Sequence, residues 1–341
     1  MDVPPAHQLP TLEEVARVAG VSRATVSRAI NGGERVSTRA LAAVERAISE
    51  LGYTPNRAAR SLVTRRTDSI ALVVPETGSR FVADSVLTAA LQGITTALSG
   101  TELQLILLIA QQAGDTARLL RYLRAGHVDG ALVISHHGED QLPAELAKTR
   151  LPFVFGGRPL DPGNVTVPYV DADNVGGGRI AARHLLERGD RVIGTVAGPR
   201  DMPAGLDRLA GWREVLTEAG RPANRVEHGD FTAEGGAAAM ARLLQAQPDL
   251  DAVFVASDLM ATGALRVIQE SGRRVPDDIA VIGYDDSILA HAAIPPLTTV
   301  RQPAEEMGRR MAELLLEQLA GGPWPTAGVI LPTELVVRAS A

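Results

Sequence analysis

Apolar positions along this chain change their period near residue 68. Before that point they recur at helical spacing. Leu12, Val15, Ala16 and Ala19 share one helical face, Val21, Val26 and Ile30 a second, and Leu41, Val44, Ile48 and Leu51 a third. Helix punctuation stands between them. Thr11 and Glu14 have the spacing of a capping box. Gly20 breaks the first helix, Ser22 and Ser37 can cap the next two, and Gly52 closes the third. Beyond residue 68, aliphatic runs alternate with amphipathic stretches. Strands are predicted at 69–75, 103–109, 130–134, 192–197, 252–256 and 279–284. Helices are predicted at 85–98, 115–125, 174–188, 207–219, 233–244 and 258–270. Such alternation implies right-handed βαβ units and parallel sheets. The element order occurs twice, which predicts two doubly wound lobes with a ligand cleft beyond the carboxyl ends of their strands.

The expected organisation is therefore α/β with an all-α head over 1–54, a hinge and linker over 55–67, and a two-lobed body over 68–341. With 341 residues, 45% of them hydrophobic, the chain can fill several cores. The absence of cysteine excludes a disulfide framework, thiolate zinc sites and a cysteine nucleophile. The opening MDVPPAHQLPTLEE has no basic or apolar leader pattern. The apolar run at 103–110 falls far short of the roughly 20 residues a membrane span needs. A soluble, cytoplasmic protein is expected. The net charge of −6 conceals an asymmetry: residues 1–66 carry ten arginines against six acids, leaving −10 on the body. A basic head on an acidic body suggests a polyanion-binding module joined to something else.

Three short helices, the first two joined by a glycine turn, describe a helix-turn-helix whose second helix enters the major groove N-terminus first. Arg23, Ala24 and Arg28 then face base edges. Arginine can bridge both acceptors of a guanine, and a small alanine accommodates a thymine methyl. Ser22, Thr25 and Ser27 suit phosphate contacts, which position without specifying.

The runs AGVSRATVSRAIN (19–31) and GYTPNRAARSL (52–62) resemble the lactose repressor family of bacterial transcription regulators. The resemblance implies that the second run is a hinge helix ordered on operator DNA. Two copies would meet in the minor groove with Leu62 as a wedge, Ala59 one turn earlier, and Asn56 and Arg57 near the backbone. Thr11, Asn31 and Tyr53 join the implied DNA-contacting set. Physics agrees with such a device. A helix of about eight residues is marginal in water, so DNA can order it, and a wedge offsets its unstacking cost by bending DNA onto more protein.

The body resembles the family's periplasmic-binding-protein-like effector domain through VDADNVGGGRIAARHLLERG, GPRDMPAGLDRLAGW, VFVASDLMATGAL, VIGYDDS, PPLTTVRQP and LPTELVVR, in order. Implied effector contacts are Arg208, Phe231, Ser257 and Asp285, with Asp201, Met202 and Ala204 in an approaching loop and Phe81 and Arg158 from the other lobe. Asp285 and Arg208, facing each other across a cleft, could bind vicinal hydroxyls, with Phe231 stacking on a sugar ring. Leu206 and Leu209 are assigned to packing, Asp286 to a turn, and His136-His137 to an exposed loop. Two stretches depart from the family pattern. Ser79-Arg80-Phe81 replaces an Asn-Pro-aromatic motif, and Gly176-Gly177-Gly178 is expected to soften a helix start.

No catalytic constellation emerges. Asp285 and Asp286 are adjacent and diverge, unlike a glycosidase pair. The histidines show no metal spacing, and neither a Walker lysine nor a G-x-S-x-G elbow is present. No enzyme activity, cofactor or metal is expected, and a transport binding protein would lack the DNA-reading head. The resemblance implies a homodimeric repressor on a palindromic operator in double-stranded DNA. A sugar or oligosaccharide would release it, as in actinobacterial regulators of oligosaccharide uptake, cellobiose types included. The alternative is a corepressor-dependent regulator, or an activator, responding to a non-sugar ligand such as a purine. With 3% aromatics the chain is poorly equipped to stack a purine. Dimer contacts are expected from 86–98 and 259–267. No heptad run follows Leu319 to suggest a tetramerising coiled coil.

Overall fold

The computed structural model describes residues 10–30, 36–54, 66–75, 84–110, 113–134, 137, 142–160, 166–325 and 327–341. Asn31, Asn56, Arg57, Ala59, Leu62, Phe81 and His136, with hinge residues 55–65, lie outside the described residues. The chain divides into two compact units, Met1–Thr67 and Asp68–Ala341.

In the first unit, α1 (Leu12–Ala19), α2 (Arg23–Ile30) and α3 (Thr38–Leu51) enclose Val15, Ala16, Val26, Val44 and Ala47. The capping box forms: Thr11 Oγ1 accepts from the Glu14 amide (3.3 Å) and Glu14 Oε2 accepts from the Thr11 amide (2.7 Å). One packing expectation changes. Leu41 is 37% exposed, and Ala47 takes the core position three residues after Val44. Tyr53, implied as a DNA contact, packs its ring against the core of the head. Gly52, at φ +61°, ends α3, and the Tyr53 amide turns back to the Ile48 carbonyl (3.0 Å), folding the ring beneath the helix.

The second unit begins with β1 (Ser69–Val74), α4 (Ser85–Leu98), β2 (Gln104–Ile109), α5 (Ala113–Arg124), β3 (Gly130–Ile134), α6 (Leu142–Ala147), β4 (Phe153–Gly156) and β5 (Tyr169–Ala172). It continues through α7 (Asn174–Arg188), β6 (Ile193–Ala197), α8 (Pro203–Glu218), β7 (Val226–His228), α9 (Ala233–Ala246), β8 (Ala252–Val255), α10 (Asp258–Glu270) and β9 (Ala280–Asp285). The last elements are α11 (Ile288–Ala292), β10 (Thr298–Arg301), α12 (Ala304–Leu319), β11 (Val329–Leu331) and β12 (Glu334–Val336). They build two sheets, ordered β11-β5-β4-β3-β1-β2 and β12-β10-β9-β8-β6-β7. The neighbours pair in parallel except β10 with β12.

Both faces of the inner strands of each sheet are covered, which explains their unbroken apolar runs. Ile70, Leu72 and Val74 pack toward α4 and α12, whereas the alternate residues Ala71 and Val73 pack on the opposite face with Leu119, Leu123 and Leu146. In the second sheet, Val253 and Val255 face α9 and α10, and Ala252 and Phe254 face α7 and α8. The chain crosses between lobes three times: from β5 to α7, from β10 to α12, and from β11 to β12.

The glycine triplet does more than soften a helix start. A methyl at Gly178 would fall 2.1 Å from the Arg208 carbonyl oxygen, and one at Gly211 would fall 2.0 Å from that of Val175. Reciprocal glycines thus let α7 and α8 touch backbone to backbone. Gly93 with Gly308 does the same for α4 and α12, and Gly236 with Gly263 for α9 and α10. Helix α8 also starts at Pro203, four residues before the expected 207, because proline is well placed at a first helical position. The expected dimer stretches are largely spent internally. Leu87, Ala90, Ile94 and Leu98 are buried in α4, as are Met260, Ala261, Ala264 and Leu265 in α10. The apolar faces of these helices complete the lobe cores, so exposed apolar side chains lie elsewhere, Leu107, Ile288, Ile294 and Val337 among them.

Candidate nucleic-acid interface and effector cleft

In the head, Ser22, Arg23, Ala24 and Arg28 are exposed along α2, Thr25 and Ser27 are half-buried, and Thr11 is exposed at the start of α1. Ser22 Oγ accepts from the Thr25 amide (3.1 Å) and so caps α2; the two hydroxyls also lie 2.8 Å apart. Arg23 Nε pairs with Glu13 Oε1 at 2.9 Å, and Arg28 Nε donates to the Ala24 carbonyl at 3.2 Å. Both guanidiniums are therefore held along the helix surface by contacts that water or a nucleobase can replace.

In the body, the strand ends gather a cleft of about 990 Å³, open solvent included. Arg158, Met202, Ala204, Arg208, Phe231, Ser257 and Asp285 line it; Asp201 does not, and instead its Oδ2 lies 2.7 Å from His137 Nδ1. Helix α8 carries Arg208 up from the second sheet, and β9 delivers Asp285 at its carboxyl end. These two do not face each other across the cleft, as expected, but stand side by side in one lobe, with Nη1 3.7 Å from Oδ1. The correction follows from topology, since α8 and β9 belong to the same sheet layer.

Arg208 is 4% exposed and its donors are engaged. Nε donates to Asn174 Oδ1 (2.9 Å), Nη1 to the Ala256 carbonyl (2.6 Å) and Nη2 to Gln302 Oε1 (3.3 Å). Its guanidinium carbon sits 3.6 Å from the Tyr284 ring centroid and 5.7 Å from that of Phe231. Gln302 Nε2 donates to Asp285 Oδ1 at 2.7 Å. Burial pushes the Asp285 carboxyl well above the usual carboxylate range, with the Arg208 charge opposing. Ser257 Oγ accepts from the Met260 amide and caps α10 (3.2 Å). Phe231 adopts φ +62°, and its ring abuts Gly198, where any Cβ would collide with it at 2.5 Å.

Sequence reasoning overlooked Asn174, Gln302 and Asp171, the polar residues that bind the cleft together. The Asp171 carboxylate accepts from the amides of Arg158 (3.0 Å) and Ala172 (2.8 Å) and from Asn174 Nδ2 (2.9 Å), and burial raises its pKa against those bonds. Their available signal was position: Asn174 and Gln302 sit next to two of the three points where the chain leaves one lobe for the other. Met307 and Met311, from α12, supply part of the apolar wall. Among the described residues no cluster suited to a metal ion is present, and no helix is long and apolar enough to cross a membrane.

A reading helix bearing arginines, on a chain whose second unit is a two-lobed cleft, defines a ligand-responsive DNA-binding regulator. Residues 11–56 match the profile of the bacterial regulatory proteins of the lacI family, and residues 182–341 match that of the periplasmic binding protein-like domain. The chain is 51% identical over 333 residues to the HTH-type transcriptional regulator CelR of Thermobifida fusca, covering 97% of this chain and 98% of the relative. A solved transcriptional regulator CelR-cellobiose complex is 49% identical and covers 97% of this chain and 100% of its own, with a TM-score of 0.79. The lac repressor dimer bound to operator and the anti-inducer ONPF is 29% identical, covers 98% and 99%, and has a TM-score of 0.86. The chain belongs to the lacI family of bacterial transcription regulators.

Proposed function

We propose that the protein is a homodimeric repressor that binds a palindromic operator and is released by a small oligosaccharide of the cellobiose type. One observation carries the ligand class: the cleft joins a buried guanidinium and carboxylate to a single aromatic face, Phe231, among its described lining residues. Hydroxyls can accept from the one and donate to the other, while a sugar ring covers the apolar face. A purine would favour two bracketing rings. The relative solved with cellobiose supports the same choice.

The role is binding rather than catalysis, exercised in the cytoplasm where the operator lies. Arg23, Ala24 and Arg28 read bases, Ser22, Thr25 and Ser27 hold phosphates, and hinge residues around Leu62 wedge the minor groove. Edge strand β2 pairs only with β1 among the described residues and carries Leu107, 41% exposed on a run of aliphatics. An open apolar edge of this kind invites pairing, and a second copy is the occupant that a two-fold operator requires. Ligand that binds one lobe arrangement better shifts the population away from the DNA-binding arrangement. Near-complete switching needs about a 10⁴-fold difference in affinity between the two.

Calorimetry with cellobiose and hypoxanthine on the full-length chain tests the ligand class. Cellobiose should bind and Arg208→Ala should abolish the heat; hypoxanthine binding with no sugar response would overturn the reading. Footprinting should show protection of a palindrome that is lost in Leu107→Arg together with the dimer in sedimentation.

A further inference from the structure

We propose that Gln302 is the coupling residue of the sensor, an internal stand-in whose carboxamide must be exchanged for ligand hydroxyls before the lobes can move. The proposal rests on the effector-cleft reading above. Gln302 follows β10 immediately and precedes Pro303, so it occupies the second crossing from one lobe to the other. Its side chain is 8% exposed and lines the cleft. Its two ends do two different things. Oε1 accepts from Arg208 Nη2 and Nε2 donates to Asp285 Oδ1. Those are the acceptor and donor roles that a pair of neighbouring hydroxyls would play toward the same guanidinium and carboxylate.

The rest of the network makes this position decisive. Arg208 is tied through Asn174 to the first crossing, and Asn174 is tied in turn to Asp171 at the end of β5 in the opposite lobe. A continuous polar chain therefore runs Asp171–Asn174–Arg208–Gln302–Asp285, touching the first two of the three crossings and both lobes. Of these links, the one through Gln302 bridges the two charged groups expected to hold ligand. A ligand that takes the Nη2 hydrogen and the Oδ1 lone pair now used by Gln302 displaces the carboxamide. Displacement frees the Gln302 side chain from the second lobe just beyond the end of β10, and the backbone at Gln302-Pro303 can then accommodate rotation. Ligand entry and lobe movement become one event, because the same two hydrogen bonds serve both.

The test uses the full-length chain and a duplex it selects from a random-sequence pool. Operator Kd is measured with and without saturating cellobiose, and cellobiose Kd is measured separately by calorimetry. Gln302→Met keeps length and apolar volume but removes both bonds. Its cellobiose affinity should be unchanged or several-fold tighter, since no internal competitor remains, while the ratio of operator Kd values with and without sugar should collapse toward one. Gln302→Glu preserves the acceptor toward Arg208 but repels Asp285, and should give an intermediate ratio; it also serves if Gln302→Met fails to fold. A wild-type ratio in both variants at unchanged sugar affinity would reduce Gln302 to packing and overturn the proposal. Loss of sugar binding in both would make it a ligand contact and overturn it equally. Failure of the wild-type chain to bind cellobiose would sink the cleft reading itself, a result distinct from either.

Discussion

The Arg158 guanidinium reaches from the loop after β4 to the carboxylate of Asp207 on α8, donating from Nη2 to both oxygens at 2.9 and 3.0 Å and so joining one lobe to the other. A second bridge, His137 to Asp201, spans the same two lobes. Arg158 was expected to touch the effector. It does line the cleft, but its charge is directed to the opposite lobe, which makes it a clasp at the mouth.

Breaking that clasp should speed ligand escape. Arg158→Ala and Asp207→Ala should raise the cellobiose off-rate by similar factors, and the double variant should be no faster than either. Both side chains are partly exposed, so a coupling energy of about 0.2–1 kcal/mol is expected from the cycle. Stopped-flow release kinetics provide the measurement, and strictly additive effects would show that the two groups do not act together.

Arg23 must leave Glu13 to reach a base. Glu13→Gln should therefore tighten binding to all DNA sequences by up to about fivefold, the equivalent of an exposed ion pair. Arg28→Ala, by contrast, should cost about 1–3 kcal/mol and relax preference at one base pair. Gel-shift titrations on operator variants at fixed salt distinguish the two, and uniform loss across variants would make Arg28 a phosphate contact.

Gly178→Ala should both destabilise the body and weaken sugar binding. The added methyl meets the Arg208 carbonyl, so α7 must separate from α8 at a cost of about 1–3 kcal/mol. The same displacement lengthens the Arg208–Asn174 bond. Urea unfolding and calorimetry on one preparation check both effects; a lower midpoint at unchanged sugar affinity would show that helix spacing does not position Arg208.

The stabilising contribution of Asp258 should fall as pH rises through the mildly acidic range. Burial pushes the Asp258 carboxyl from its ordinary 3.8 up to about 6, although the Thr299 hydroxyl (2.7 Å) and the Ser287 amide (2.8 Å) oppose it. The folded chain therefore binds this proton more tightly than the unfolded one. Its contribution is complete below 3.8 and disappears as pH climbs past about 6. Buried Asp285 shifts the same way. The stability difference between wild type and Asp258→Asn should thus shrink across that window and be flat above it in urea titrations. A difference independent of pH would remove Asp258 from the linkage.

Local chemistry made much of this molecule readable from its residues. Thr11 with Glu14, Gly20 and Gly52 mark helix ends through bonds made within a few residues, and the unbroken aliphatic runs announce strands covered on both faces. Such signals are short-range, so the linear order carries them. The Arg208–Asp285 arrangement was misjudged because two groups separated by more than seventy residues can meet only through sheet order, and strand alternation does not say which lobe a given end will join. The burial of Tyr53 was hidden for a related reason: a left-handed turn at Gly52 sends an amphipathic ring inward, and hydropathy does not announce that turn. Asn174 and Gln302 stayed invisible longest. Amides acquire meaning only from the partners that folding brings to them, and theirs come from helices and strands assembled around the crossings between two lobes.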